Sequence, residues 1–314
     1  MDNPSIRVGI STCLLENVPQ DWAGEPREDL LSALQENGLE LVPVCPLREV
    51  GVDPGREPVS LAGTANGYRV IARGEPEMDL SGALQTRGRR TGQGQIAMNG
   101  MIFKDGGPCC GYDAFPVGER EGADDRIPGF FARGFLREQP FLPVTDEREL
   151  EDPERLASFL DGVRAFERWR RLVVEGGRGV EALQSFHRLH SLTIMSHDPD
   201  EYVTLTLLAG RLDPGEVPTE VLEEYGRRLF RTLRQPVTGT GMAAVLRARW
   251  EELLTEMPEA ERGELGRELW AYLQARLPAG VPRQRIRRWL AEKRPLDLPR
   301  WLAVHATPGD TTFQ

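Results

Sequence analysis

The residues whose chemistry is least easily read as packing are four cysteines: Cys13, Cys45 and the adjacent pair Cys109 and Cys110. Each stands at the end of a short apolar run. Ile6–Ser11 precedes Cys13, Leu39–Val44 precedes Cys45, and Met101, Ile102 and Phe103 lead into the pair through a turn at Gly106, Gly107 and Pro108. Such runs read as buried strands, and glycine and proline mark where the last one stops. Ligands of parallel α/β sheets bind outside the carboxyl ends of the strands. Thiols at three strand ends would therefore share one site. Cysteine is also a common buried small hydrophobe, so convergence in space is what distinguishes a site from packing.

Three converging thiolates allow three chemistries. Zinc wants a fourth ligand or a water, but the four histidines, His187, His190, His197 and His305, all lie in the C-terminal half. A [4Fe–4S] cluster ordinarily takes four thiolates; with three, one iron keeps an open position and acts as a Lewis acid toward a soft donor such as sulfur. A nucleophilic cysteine would need a base, and no histidine stands nearby in sequence. Vicinal cysteines rarely serve one small site together, so one of Cys109 and Cys110 is expected to ligate.

The elements that must position these residues follow from periodicity. Residues 27–37 carry apolar positions at helical spacing and stop at Gly38, giving strand–helix–strand, the parallel α/β unit. Residues 51–67 read as a Gly/Pro-rich extended excursion, 68–72 as a strand, 78–90 as a helix weakened by glycines, 101–104 as the strand before the cysteine loop, 127–138 as a helix and 141–145 as a last strand. The tract GRRTGQGQ at 88–95 lacks the spacing of a nucleotide-binding loop and reads as a flexible turn.

Near residue 150 the pattern changes. Leu156, Phe159, Leu160, Val163, Phe166 and Trp169 form a helical stripe, and further helices are expected near 179–196, 200–210, 217–234, 241–255, 259–276 and 282–292. The expected fold is α/β: an N-terminal three-layer domain with a parallel sheet over residues 1–150, then an all-α domain over 151–314. Trp169, Trp250, Trp270, Trp289 and Trp301 read as packing anchors. His190 and His197 are roughly 10 Å apart along a helix, too far to share a metal, and with His187 read as core histidines.

Composition excludes some classes. With 39% hydrophobic and 28% charged residues the chain is an ordinary globular one. No apolar run suits a membrane span, and the N-terminus lacks the pattern of a signal peptide, so a cytoplasmic protein is expected, its cysteines not disulfide-bonded. A net charge of −10 disfavours nucleic-acid binding by the whole surface. Basic residues gather at 276–300, among them Arg283, Arg285, Arg287, Arg288, Lys293 and Arg294, as a solvated helix face or a docking surface for an acidic partner.

The first 150 residues resemble the thiouracil desulfidase family. Three ordered stretches carry the likeness: Ser11-Thr12-Cys13-Leu14-Leu15; Cys45-Pro46 followed by Glu49-Val50-Gly51 and Arg56-Glu57-Pro58; and Lys104 followed by Gly107-Pro108-Cys109-Cys110-Gly111. The resemblance implies a [4Fe–4S] cluster held by Cys13, Cys45 and Cys110, whose free iron takes sulfur from a thiocarbonyl while water supplies oxygen. The chain departs from the family where Leu47 replaces a glutamate, Gly107 and Cys109 replace serines, and residues 16–22 replace a Gly and Arg-Tyr-Asp pattern. The helical half resembles a second, uncharacterised family often fused to the first, through residues 186–190 and 195–202.

Sulfur removal needs proton transfer, and Lys104, Asp105 and Glu49 are the candidate groups. Glu57 is a further one, with pairing to Arg56 as its structural reading. Ser11 reads equally as a donor of a hydrogen bond to cluster sulfur and as a contact of the turn at the strand end. The expected function is an iron–sulfur-dependent desulfidase acting on a thiolated small molecule such as a thiopyrimidine. The alternatives are a non-catalytic module with a structural cluster, whose helical domain recruits a protein partner, and a zinc hydrolase.

Overall fold

The structure, a computed structural model, describes residues 6–19, 23, 25–64, 67–74, 77–95, 97–112, 115–116, 126–174 and 178–248, with 259, 263 and 267. The chain divides into two compact units, Met1–Asp152 and Pro153–Gln314. The helix expectations beyond 248, the basic stretch 276–300, Trp250, Trp270, Trp289, Trp301 and His305 lie outside the described residues.

The first unit is built on a four-stranded parallel sheet. Its strands are β1 (Ile6–Ser11), β2 (Leu39–Val44), a strand at Gly100–Phe103 and one at Val144–Asp146. Between β2 and Gly100–Phe103 come β3 (Val59–Thr64), β4 (Gly67–Ala72) and β5 (Met78–Asp79), an antiparallel sheet of their own. Gly100–Phe103 is thus β6; the short β7 (Phe115–Pro116) and β8 (Arg126–Ile127) pair with each other, and Val144–Asp146 is β9. The parallel order is β2-β1-β6-β9. The chain leaves β1 toward β2 and returns to β1's other side as β6, so β1 and β6 flank the point where strand order reverses, the usual place for a ligand crevice.

Sequence explains why β1 and β6 are central. Val8, Ile10, Met101, Ile102 and Phe103 are wholly buried, and strands covered on both faces read as continuous apolar runs. β3 falls inside the stretch read as an extended excursion; it forms a hairpin with β4, Leu61 opposite Val70. The α-helices among the described residues of this unit are α1 (Glu28–Glu36), α2 (Pro46–Glu49), α3 (Ser81–Arg90) and α4 (Phe130–Glu138), and α5 (Pro153–Val174) opens the second unit.

The glycines that weaken the helical reading of residues 78–90 have a packing reason. A Cβ on Gly88 would stand 2.1 Å from the carbonyl oxygen of Phe131, and one on Gly134 would stand 2.3 Å from that of Gln85. Reciprocal glycines let the backbones of α3 and α4 touch. The tract 88–95 is not a flexible turn throughout: Gly88 to Arg90 finish α3, and the chain then kinks at Gly94, which takes a left-handed φ of 95°. Residues 127–129 stay outside α4, where Pro128 and Gly129 delay its start.

The second unit is helical: α5, α6 (Val180–His197), α7 (Pro199–Gly210), α8 (Thr219–Leu233) and α9 (Gly239–Ala248). The stripe on α5 buries Phe159, Leu160, Val163, Phe166 and Trp169. The structure goes further than a stripe, because every residue from 157 to 166 is buried, Asp161 and Arg164 included. Trp169 stacks on Tyr225 at 5.7 Å and meets Phe186 and Phe230 edge-on.

Residues 195–202 form the corner between α6 and α7. Asp198 caps α7, its carboxylate accepting from the N–H groups of Asp200 (2.9 Å) and Glu201 (3.0 Å), with Pro199 at the first helical position. The N–H of Thr238 donates to Ser196 carbonyl (3.1 Å), and a Cβ on Gly241 would stand 2.0 Å from that oxygen. The described histidines are core residues. His187 sits between the hydroxyls of Tyr225 (2.9 Å) and Thr206 (3.0 Å). His190 and His197 are 3% and 1% exposed, and burial lowers their pKa values to about 3 and about 4. Among the described residues no helix is long and apolar enough to cross a membrane.

Candidate functional site

All four cysteines line one cleft at the carboxyl edge of the parallel sheet. Each arrives by a different local device. After β1 the chain tightens into a 3-10 turn, Thr12–Leu14, with Cys13 at its middle. Cys45 ends β2 and precedes α2, whose Pro46 is preorganised for a helix start. The backbone N–H groups of Arg48 and Leu47 point back at the Cys45 sulfur and oppose the upward push that burial exerts on this thiol.

The Cys109–Cys110 loop is held by its backbone. Gly106 takes a left-handed φ of 67°, and Gly111 N–H donates to the Gly107 carbonyl at 2.8 Å. The first turn of α4 then clamps the loop: Phe131 and Ala132 donate to the carbonyl of Cys109 (3.1 and 3.3 Å), and Gly129 donates to that of Gly111 (2.7 Å). A Cβ on Gly129 would meet the Cys109 carbonyl at 2.5 Å, so only glycine lets α4 approach this closely. The Cys110 sulfur lies 3.7 Å from that of Cys109.

The thiols lie close enough to perturb one another. Burial raises the Cys13 pKa, Cys110 and Cys45 raise it further, and Lys104 opposes them. The pKa of Cys110 is held well above its ordinary value, first by donation to Cys109 and then by burial; a hydrogen bond from Ser11 pulls it down. Ser11 also accepts the N–H of Lys104 at 3.0 Å, tying the ends of β1 and β6 together.

None of the proton-transfer candidates is among the described residues that line the cleft. Lys104 follows β6 and pairs with Glu147, which follows β9; their side chains are 13% and 5% exposed. The second carboxylate oxygen of Glu147 accepts the N–H of Asp105 at 2.8 Å, while Lys104 also donates to the Asp105 carbonyl at 3.2 Å. Asp105 pairs with Arg148 (2.8 Å) and Glu49 with Arg87. Arg56 pairs with Asp53 (3.4 Å). Lys104 acts electrostatically on Cys13, and Glu49 on Cys110.

Sequence reasoning passed over Asp146 and Glu147. Burial raises the Asp146 pKa to about 6 although its carboxylate accepts from the N–H groups of Arg148 (3.0 Å) and Glu149 (2.8 Å). The signal was present: residues 141–145 read as a strand, and the rule that singled out the cysteines applies equally to the carboxylates after that strand. Gly129, which matters only through a contact with a loop distant in sequence, had no such signal.

Among the described residues no three His, Cys, Asp or Glu side chains lie close enough to share a single metal ion. Ligands of one tetrahedral ion crowd within a bond length or two of each other, as zinc requires. Thiolates on separate irons of a cluster stand wider apart. The donors lining the cleft are sulfur, the ligand chemistry that a [4Fe–4S] cluster takes.

The family model described as 2-thiouracil desulfurase matches residues 8–147, and that described as a protein of unknown function, DUF1722, matches residues 192–296. No curated protein matches the chain. A solved structure described as a [4Fe–4S]-dependent thiouracil desulfidase, TudS, is 21% identical, with a TM-score of 0.33, over 46% of this chain and 93% of that one.

Proposed function

We propose that the 2-thiouracil desulfurase domain of this chain is an iron–sulfur-dependent desulfidase, converting a thiocarbonyl and water to a carbonyl and hydrogen sulfide with no net redox change. Cys13, Cys45 and Cys110 hold a [4Fe–4S] cluster. Bound there, the cluster supplies an open iron position, a Lewis acid with affinity for sulfur. The observation that carries this reading is the meeting of four thiols in one cleft where the strand order of a parallel sheet reverses.

The chain's own groups have definite tasks in this reading. The α4 clamp fixes the cysteine loop, so Cys110 presents its sulfur from a rigid backbone. Ser11 donates to that sulfur, a bond that tunes a cluster's potential. Cys109 stays a free thiol beside it. Lys104, Asp105 and Glu49 are assigned the exchange of protons with water in the cleft, each in competition with its ion-pair partner. The substrate is a thiolated small molecule. The domain of residues 1–150 carries the chemistry, and that of 151–314 has no assigned step.

Anaerobic reconstitution tests the reading. The expected product is a brown protein with four irons and four sulfides per chain that releases sulfide from thiocarbonyl compounds. Cys13→Ser, Cys45→Ser and Cys110→Ser each lose cluster and activity, and Cys109→Ser keeps both. A colourless protein holding zinc, or no metal, defeats the reading. A stable cluster without sulfide release from any thiocarbonyl leaves the non-catalytic module.

A further inference from the structure

The two charges of the lysine–glutamate pair are rooted at different distances from the thiols. In the strand order β2-β1-β6-β9, Cys45 follows β2, Cys13 follows β1 and the Cys109–Cys110 loop follows β6. Lys104 leaves β6, the neighbour of β1, and its N–H donates to the hydroxyl of Ser11, which lines the cleft. Glu147 leaves β9, one strand spacing, about 4.8 Å, further out. It is held there from two sides, by the Lys104 ammonium and by the N–H of Asp105 at 2.8 Å. Both charges act on Cys13, and the lowering of its pKa by Lys104 exceeds the raising by Glu147. Of the ion pairs that hold Lys104, Asp105 and Glu49, this one is the most buried: its side chains are 13% and 5% exposed, against 24% to 72% in Glu49–Arg87 and Asp105–Arg148. Solvent screens exposed charges far more than buried ones.

From this placement we infer that Lys104 and Glu147 form an oriented charge pair, its positive end toward the thiols, which favours the more negative state of a cluster held there. The inference rests on the cluster reading and adds to it the role of Glu147, a positioning residue that fixes the cation from the far side. Net charge is one of the levers that set the potential of an iron–sulfur centre. Desulfidation also builds negative charge at this edge, since sulfur that enters in a neutral thiocarbonyl leaves as sulfide. A cation already fixed in place meets that charge with no reorganisation at the moment it forms.

The experiment is a redox titration of the full-length, anaerobically loaded protein, followed by its visible absorption. Glu147→Gln, which removes the far charge at nearly constant shape, should raise the midpoint potential. Lys104→Met should lower it, and Lys104→Arg should hold it near the wild-type value. The deciding variant is the double one, Lys104→Met with Glu147→Gln. It leaves neither buried charge without its partner, so it avoids the cost of breaking the pair. A pair with no orientation would leave its potential at that of the wild type. The oriented pair predicts a lower one, by an about threefold to tenfold change in the reduction equilibrium, tenfold being about 59 mV for one electron. Should Lys104→Met alone not fold, the double variant and Glu147→Gln decide. A double variant at or above the wild-type potential, or a Glu147→Gln that lowers it, overturns the inference and leaves the cluster reading intact. The expected order of potentials in a protein that releases no sulfide upholds the inference and ends the desulfidase reading. A chain that takes up no cluster overturns both.

Discussion

The two units bury ionisable groups in opposite ways. In the α/β unit they gather at one edge of the sheet: four thiols in a cleft, a lysine–glutamate pair after β6 and β9, and Asp146 at the end of β9. In the helical unit three buried histidines, His187, His190 and His197, are dispersed through the core, apart from Asp161 and Arg164 on α5. Burial disfavours the charged form in both cases, so it raises the acids of the first unit and lowers the bases of the second. A cluster of perturbed groups in a cleft suggests chemistry. Scattered neutral imidazoles that meet a tyrosine, a threonine or a backbone carbonyl suggest structure.

The largest expected effect comes from the pair that straddles β6 and β9. Lys104→Met removes the ammonium and leaves the Glu147 carboxylate buried, holding only the N–H of Asp105. Stripping one partner from a buried ion pair costs about 3–5 kcal/mol. Urea melts should show that loss in the α/β unit, with hydrogen exchange in α6 to α8 unchanged. Lys104→Arg should recover part of it. An effect below about 1 kcal/mol would place Glu147 in contact with water and remove the contrast between the units.

Acid should then separate the units. His190 and His197 have folded pKa values of about 3 and about 4, below the ordinary value of about 6.5. Their contribution is therefore complete above pH 6.5 and declines as pH falls below it, because the unfolded chain takes up protons first. At pH 5 the loss is about 2 kcal/mol per histidine. Asp146 runs the other way. Its pKa is raised to about 6, so the folded state holds a proton that the unfolded state has lost, and lowering the pH from 7 to 5 stabilises the α/β unit. Hydrogen exchange corrected for intrinsic rates should show α6 loosening at pH 5 before β1, β6 and β9. His190→Gln and His197→Gln should flatten the first trend, and Asp146→Asn the second.

How much of this was legible in the sequence differs between the units for the same reason. β1 and β2 were readable to the residue because continuous apolar runs end at a thiol, and parallel strands leave a one-dimensional mark. The carboxyl-edge rule brought Cys13, Cys45 and the vicinal pair to one side before any coordinates. Contacts made by the absence of a side chain leave no such mark. Gly88 and Gly134 look like helix weakeners until α3 meets α4, and Gly129 looks like a turn residue until it presses on Cys109. The helical unit gave its helices by period, but not the burial of Asp161 and Arg164 beside the apolar stripe. What a polar residue meets across a core is set by tertiary packing alone.

Those glycines supply a matched pair of tests. Gly88→Ala drives a methyl to 2.1 Å from a backbone oxygen of α4, and Gly241→Ala drives one to 2.0 Å from that of Ser196. Neither obstacle is a flexible side chain, so relief requires the backbones to separate. Overpacking of this sort costs about 1–3 kcal/mol. The comparison is sharpened by cluster content: Gly88→Ala shifts α4, and with it the clamp on Cys109, so it should lower cluster retention, whereas Gly241→Ala should cost stability with the cluster unaffected. Equal cluster loss in both would mean that the helical unit also supports the thiol site.

Asp198→Ala is the mildest probe and isolates the corner between α6 and α7. The variant removes the acceptor for two N–H groups at the start of α7 and a carboxylate that favours the positive end of the helix. Pro199 continues to set the first helical φ, and Thr238 continues to hold Ser196 from the far side, so the corner loosens without coming apart. The expected loss is about 1 kcal/mol, and Asp198→Asn should recover most of it, since its side-chain oxygen accepts the same bonds. Thermal melts measure both. A loss several times larger for alanine, not recovered by asparagine, would show that the charge at this corner meets something beyond its own helix, the property expected of a surface that docks a partner rather than of a cap.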